Sequence, residues 1–344
     1  MNRSSLLARR PIITRLAAVA AAAALAFVPS VTLAADPIVM KIGTASLNDV
    51  QHEFMKRYAA ALNKDSKGRI KVEIYPASQL GSIPREIEAT QFGSIQAWVG
   101  PPEFLSGVDP RYEVLSAPFV LGDMRHAGRV LEDKEFRSAF FALGANKGLK
   151  GLALFIHGPI EFDLRKPVKP ADGLKNLKVR VLAAPLQMEQ VTRLGGTPVP
   201  MALDQVLPAL QQGAIDGVMS DLAIFSSLRY ADAAKYVLES DQAMLTSCAV
   251  VSKQWFDGLP ADLQALVLAD GEKVGSGMLS WAIDYTNAQK AVWRKAGGSF
   301  ISLSPAEHAA LNAKMSSVAS DVLKDKPEVK KLYDLMAEAS KRVK

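Results

Sequence analysis

Apolar positions along this chain switch repeatedly between a period of two and a period near 3.6. Residues 38–45 alternate as a strand. Residues 51–64 place Phe54, Tyr58, Ala61 and Leu62 at helical spacing, and Ser66-Lys67-Gly68 closes that helix. IKVEIY at 70–75 alternates again. A helix over 84–92 stops at Gly93, and a strand over 95–100 runs into Pro101-Pro102. Prolines lack the N–H that a ladder needs, so the chain must leave the sheet there.

The same alternation continues downstream. PFVL at 118–121 precedes a polar helix near 123–132, and LALFI at 152–156 reads as a buried strand. Residues 165–174 are polar and proline-containing and read as a loop. Strands follow at 179–182, 197–199, 215–219, 236–238 and 243–251, with Asp216-Gly217 at a turn. Helices are expected over 186–194, 203–212, 225–236, 260–276 and 281–295. A final helical stretch covers 305–336, broken near Asp325-Lys326-Pro327. No sequence repeat at solenoid period occurs. Strands alternating with helices of this length predict an α/β fold, with mostly parallel sheets flanked by helices.

The first residues carry a different signal. Arg3, Arg9, Arg10 and Arg15 precede an alanine-rich apolar run over 16–28, which Pro29 ends. Thr32-Leu33-Ala34 offers small residues for cleavage, so 1–34 reads as a secretory leader removed near Ala34. The run is short for a bilayer span. The residues around Arg9-Arg10 fit twin-arginine export poorly, and no cysteine stands at the cleavage region for a lipid anchor. Cleavage would leave roughly 310 residues, enough for two lobes. The leader contains four arginines and no acid, so the formal charge of +6 is partly the leader's. The remaining basic residues are scattered without an aromatic-interleaved cluster, which argues against nucleic acid as a partner.

The chain has one cysteine, Cys248, in the apolar stretch 245–251. It cannot form an internal disulfide and reads as a small buried hydrophobe. The four histidines, His52, His126, His157 and His308, lie far apart, and none shares metal-ligand spacing with another. No Gly-x-Ser-x-Gly, Walker or Gly-x-Gly-x-x-Gly motif is present. Catalytic residues, metal ligands and cofactors are therefore not expected.

One residue stands out. Arg180 lies within an apolar strand, and no carboxylate occurs between Leu177 and Pro185. A buried arginine is costly unless it meets an anion. Arg180 is thus either a grip for a ligand carboxylate or a structural residue paired with Asp216 or another acid. Two α/β lobes joined by crossing strands suggest a hinged trap with its site between the lobes.

Five segments carry a resemblance. They are KDSKGRIKVEIYPASQLGSIPREIEATQFGSI (64–95), APFVLGD (117–123), PADGLKNLKVRV (170–181), LGGTPVPMALDQVLPALQQGAIDG (194–217) and WFDGLPADLQALVLA (255–269). Together they resemble the periplasmic solute-binding proteins of tripartite ATP-independent periplasmic (TRAP) transporters, in order across nearly all of the chain after the leader. The resemblance implies a two-lobed periplasmic binding-protein fold of type II-like architecture, with mixed sheets flanked by helices and a long helix packing across both lobes. Lobe one would comprise 36–157 plus 246–285. Lobe two would comprise 158–245 plus 286–344, with the C-terminal helices. The implied function is capture of an organic monocarboxylate in the periplasm by cleft closure and delivery to TRAP membrane permease subunits. The alternatives are a solute-binding protein of an ATP-driven transporter or sensor, and a secreted enzyme.

In that family the arginine of the LKxRV motif holds the ligand carboxylate, which here is Arg180. Guanidinium is planar, always charged and matches two carboxylate oxygens. Two departures matter. Ile160 stands where many members have a second arginine, and Ser220 where many have a ligand-binding asparagine. Both reduce polar reach and imply a less hydroxylated acid, aromatic or branched, rather than a sugar acid. Further site candidates come from position. Pro101 and Pro102 follow a lobe-one strand. Met201 and Gln205 open a helix whose N–H groups point outward. Gln205 could equally be a cap or a solvated side chain. Trp98, Phe162 and Phe225 could line the pocket or belong to the core.

Overall fold

The computed structural model describes residues 36–343, so the expected leader lies outside the described residues. Two mixed sheets form the frame. The first contains β1 (Ile38–Gly43), β2 (Ile70–Tyr75), β3 (Ala97–Gly100), β4 (Leu149–Pro159) and β10 (Met244–Ser252), in the order β2-β1-β3-β10-β4. β1 runs parallel to β2 and β3, while β10 is antiparallel to β3 and β4. The second contains β5 (Glu161–Leu164), β6 (Lys178–Val181), β7 (Thr197–Pro200), β8 (Gly217–Ser220), β9 (Tyr236–Glu239) and β11 (Ser299–Ser302). Its order is β11-β9-β5-β8-β6-β7.

The chain crosses between the sheets twice at one place. β4 passes into β5 through Ile160, and β9 returns to β10 through 240–243. The Ile160 N–H donates to the Ala243 carbonyl at 2.8 Å, so the two crossings are bonded to each other. The helix Met278–Lys295 spans the junction. Its Met278 and Ala282 pack into the core around Phe54, while Trp293 sits 6.1 Å from Phe225 in the core of lobe two. Aspartates start many of the helices. Asp49, Asp123, Asp133 and Asp221 each accept a backbone N–H in the first turn.

The structure corrects several expectations. β5 and β11, each four residues long, and the helix Lys134–Phe141 went unread. The expected helix over 225–236 is instead a helix Leu222–Ser227, a 3₁₀ turn Tyr230–Asp232 and the start of β9. Asp221 caps three residues earlier than expected, and Arg229 in the left-handed region (φ 58°) breaks the run. The last stretch divides into Pro305–Met315, Val318–Leu323 and Pro327–Arg342. Only the first two pack against the lobe-two helix Pro185–Arg193. Pro327–Arg342 crosses to lobe one and packs on 110–116, Met124–Glu132 and Lys134–Phe141. It buries Val329, Leu332, Met336 and Ala339, and the Ser340 hydroxyl donates to the Val120 carbonyl at 2.7 Å.

Trp98 is 1 % exposed and lies across Gly100, whose missing Cβ leaves room for the ring. Gly100→Ala should force the indole off this position. A loss of about 1–3 kcal/mol is expected in urea unfolding, as for other overpacked cores.

Candidate functional site

Arg180 occupies the middle of β6, flanked by β8 and β7, opposite Val218 and Val199. It is 1 % exposed. Its Nε and Nη2 both donate to the Met201 carbonyl, at 3.1 and 3.0 Å. Among the described residues no acid forms a salt bridge with it. The structural partner considered from sequence, Asp216, is engaged elsewhere: its Oδ2 accepts the Lys178 N–H at 2.9 Å. Burial pulls the guanidinium's pKa below its ordinary value, with Tyr230 opposing. A carbonyl dipole is thus the sole bonded counterpart of a buried cation, and Nη1 makes no hydrogen bond to a described residue. A guanidinium so placed can pair with an anion that enters the cavity.

Arg180 opens into a small cavity of about 30 Å³ between the sheets. Trp98, Pro101 and Ser220 line it as well. Lobe one adds Gln51 and Phe104, Ile160 and Leu245 come from the crossings, and lobe two adds Leu182, Gln187 and Met219. Among the described residues Arg180 is the only charged one in the lining. A wider open groove of about 540 Å³, bordered by Phe119, Met124 and His308, contains none of the ligand-site candidates read from sequence.

The other sequence candidates fall outside the cavity. Phe162 and Phe225 are fully buried in the lobe-two core, and Phe225 packs near Tyr230 and Trp293. Pro102 is buried at the start of the 3₁₀ helix Pro102–Leu105. Gln205 is exposed, within the 3₁₀ turn Leu203–Gln205. Met201 acts through its backbone, orienting Arg180. Trp98 is a buried core ring that also walls the cavity.

Two polar features were not foreseen. Gln51 and Gln187, one from each lobe, reach the cavity. The Gln187 amide is fixed between the Leu182 N–H (3.0 Å) and the Ser116 hydroxyl (3.2 Å). The Gln51 carbonyl oxygen accepts from the Thr44 and Ser46 hydroxyls, at 2.6 and 3.2 Å. Behind the cavity, His157 is fully buried between two carboxylates. Its Nδ1 lies 2.5 Å from Asp221 Oδ2 and its Nε2 3.1 Å from Asp49 Oδ2. Burial works against the charged ring, but Asp221 and then Asp49 outweigh it and push the imidazole up to about 10. Burial also raises Asp49, yet the bond and charge of His157 hold it below the usual carboxylate range. Asp49 and Asp221 each cap a helix, a role not read from the sequence. Nothing local pointed to His157. Among the described residues no cluster of histidine, cysteine and acids is suited to hold a metal ion.

Comparison with known proteins agrees with this architecture. The family model for bacterial extracellular solute-binding protein family 7 (DctP) matches residues 42–325. The C4-dicarboxylate-binding periplasmic protein DctP of Rhodobacter capsulatus is 29% identical over 256 residues, covering 72% of this chain and 75% of its own. The 2,3-diketo-L-gulonate-binding periplasmic protein YiaO of Escherichia coli is 28% identical, over 67% of this chain and 70% of its own. Among solved structures, a TRAP periplasmic solute-binding protein from Desulfovibrio salexigens with bound orotic acid superposes with a TM-score of 0.84 at 23% identity. It covers 89% of this chain and 99% of that one. A second, from Shewanella oneidensis with bound succinate, gives 0.81 at 23% identity, covering 88% and 99%. With a family model matched over most of its length, the chain belongs to bacterial extracellular solute-binding protein family 7 (DctP).

Proposed function

We propose that this protein, exported and freed of residues 1–34, captures an organic monocarboxylate with a largely apolar body and hands it to TRAP permease subunits. The observation that carries this reading is the lining of the cavity: one cation, Arg180, no acid, and walls of Trp98, Phe104, Ile160, Leu182, Met219 and Leu245. A single guanidinium matches a single carboxylate. A second carboxylate, or the hydroxyls of a sugar acid, would be desolvated against apolar side chains with few partners. Ile160, at the crossing between lobes, supplies a methyl-rich wall where an arginine would give a second anchor. Ser220 lines the same cavity with a hydroxyl that has no partner among the described residues. Closure of the lobes around the acid completes the wall and buries the ion pair, so the ligand shifts the open–closed equilibrium by its extra contacts with the closed form.

A thermal-shift screen followed by calorimetry tests the proposal. Benzoate, phenylacetate and branched 2-oxo acids should raise the melting temperature. Succinate, malate, glucuronate and galacturonate should not. An acid present at a hundred times its Kd adds about 2.7 kcal/mol, a shift easily read. Stabilisation by the diacids or sugar acids alone would refute the monocarboxylate reading. In Ile160→Arg the preference should move toward acids with a second anionic or hydroxylated end.

A further inference from the structure

The Asp49–His157–Asp221 cluster joins parts of both lobes. Asp49 caps the lobe-one helix Val50–Asp65, His157 lies on β4 of the lobe-one sheet, and Asp221 follows β8 of the lobe-two sheet. Each carboxylate divides its oxygens in the same way. Oδ1 accepts a helix N–H, from His52 or Ile224, at 3.0 Å, and Oδ2 faces the imidazole. One ring therefore ties together the N-termini of two helices that belong to different lobes.

The proton count follows from the geometry. A carboxylate only accepts hydrogen bonds, and a neutral imidazole has one N–H and one bare lone pair. Asp49 and His157 share a lobe, so a neutral ring with its proton on Nε2 suffices for them when the lobes are apart. Asp221 travels with lobe two. Bringing its Oδ2 to 2.5 Å from Nδ1 sets it against a lone pair unless a second proton is present. We propose that this cluster is a proton-dependent latch between the lobes: closure draws one proton onto His157, and loss of that proton favours opening.

The surroundings supply no competing cation. Among the described residues neither carboxylate pairs with lysine or arginine. From the helix Val50–Asp65, His52 approaches Asp49, but its Nδ1 accepts the Asn48 N–H, and burial together with Lys56 lowers its pKa. From the helix Met278–Lys295, Tyr285 donates its hydroxyl to the Asn48 carbonyl and is pushed up to about 12 by burial, Asp49 and Asp221. Ser46 and Gln51 complete the lobe-one side and carry no charge. His157 is thus the group that titrates. With both carboxylates against the ring its pKa, about 10, exceeds the ordinary histidine value. The closed form is therefore favoured below the open-form value, and the preference is lost as pH rises through about 10. In that window the closed-to-open ratio should fall by up to about tenfold per pH unit, the limit for one proton.

The latch belongs to the protein itself, so its test needs no ligand and stands apart from the choice of acid. Spin labels on Ala60→Cys and Gln211→Cys, both exposed and on opposite lobes, report lobe separation by pulsed electron resonance. Cys248 is buried, with its thiol pushed up, and stays unlabelled. Between pH 6 and 10 the short-distance population should shrink in the otherwise native protein. Asp221→Asn keeps an oxygen for the Ile224 N–H but removes the charge, and its distances should not change with pH. His157→Gln should behave likewise. If His157→Gln does not fold, Asp221→Asn still decides. Distances that ignore pH in the native cluster, or an equal pH response in Asp221→Asn, would overturn the proposal.

Discussion

Arg180→Met is expected to abolish measurable binding of the cognate acid while leaving thermal stability within about 1 kcal/mol of the parent. The binding loss should be on the order of 2–5 kcal/mol, the range for truncating one partner of a buried charge pair. That corresponds to roughly 30- to 5,000-fold in Kd. The stability half of the expectation separates a ligand grip from a structural arginine. A structural arginine would sit in an ion pair, and its removal would strand a buried carboxylate at a cost of about 3–5 kcal/mol. Among the described residues Arg180 has no such partner. It donates only to the Met201 carbonyl, and burial already disfavours its charge. Replacement by an apolar side chain of similar length removes an unpaired cation from the free protein, which offsets the lost bonds to Met201. Calorimetry and a melting curve on the same preparation read both halves. A large fall in melting temperature would return Arg180 to a structural role.

His157→Leu should show the opposite pattern, a large loss of stability. Two buried carboxylates, Asp49 and Asp221, would lose their shared positive partner. About 3–5 kcal/mol is expected, the range for breaking a buried pair from one side. The pH dependence carries the sign. Folded His157 lies near 10, above its unfolded value of about 6.5. Its contribution is therefore complete below about 6.5 and declines as pH rises through 10. Urea unfolding at pH 6 and pH 9.5 should show the gap between parent and His157→Leu narrowing on the alkaline side. A gap that is constant with pH would mean that the ring is neutral in the fold and its role is packing alone.

How far the sequence reaches is clear from particular residues. The β1–β3 unit, the burial of Cys248 and the exceptional position of Arg180 follow from local pattern, because strand and helix periods and an isolated charge are local facts. Trp98 and Ser220 also reach the cavity. Phe162 and Phe225 illustrate the limit. Phe162 lies on the short strand β5 and Phe225 on the helix Leu222–Ser227, and periodicity does not say whether such a face meets a cavity or the core. Both went to the core. Met201 shows a second limit, since its contribution is a carbonyl, which no side-chain pattern reveals. The helix Pro327–Arg342 is amphipathic in either lobe, and only the surface it meets decides that it packs on lobe one. The largest omission is the histidine cluster. Its members lie 108 and 64 residues from His157, so no spacing rule links them. The two aspartates cap helices, a local role that by itself says nothing of the long-range one.

In the proposed site Arg180 receives the ligand's carboxylate in a cavity whose other walls are mostly apolar. A crystal structure with the tightest-binding acid from the screen tests it directly. The account expects one carboxylate within hydrogen-bond distance of the Arg180 guanidinium, and the acid's body against Trp98, Ile160 and Met219. A carboxylate held elsewhere, with Arg180 still bonded only to the Met201 carbonyl, would contradict it.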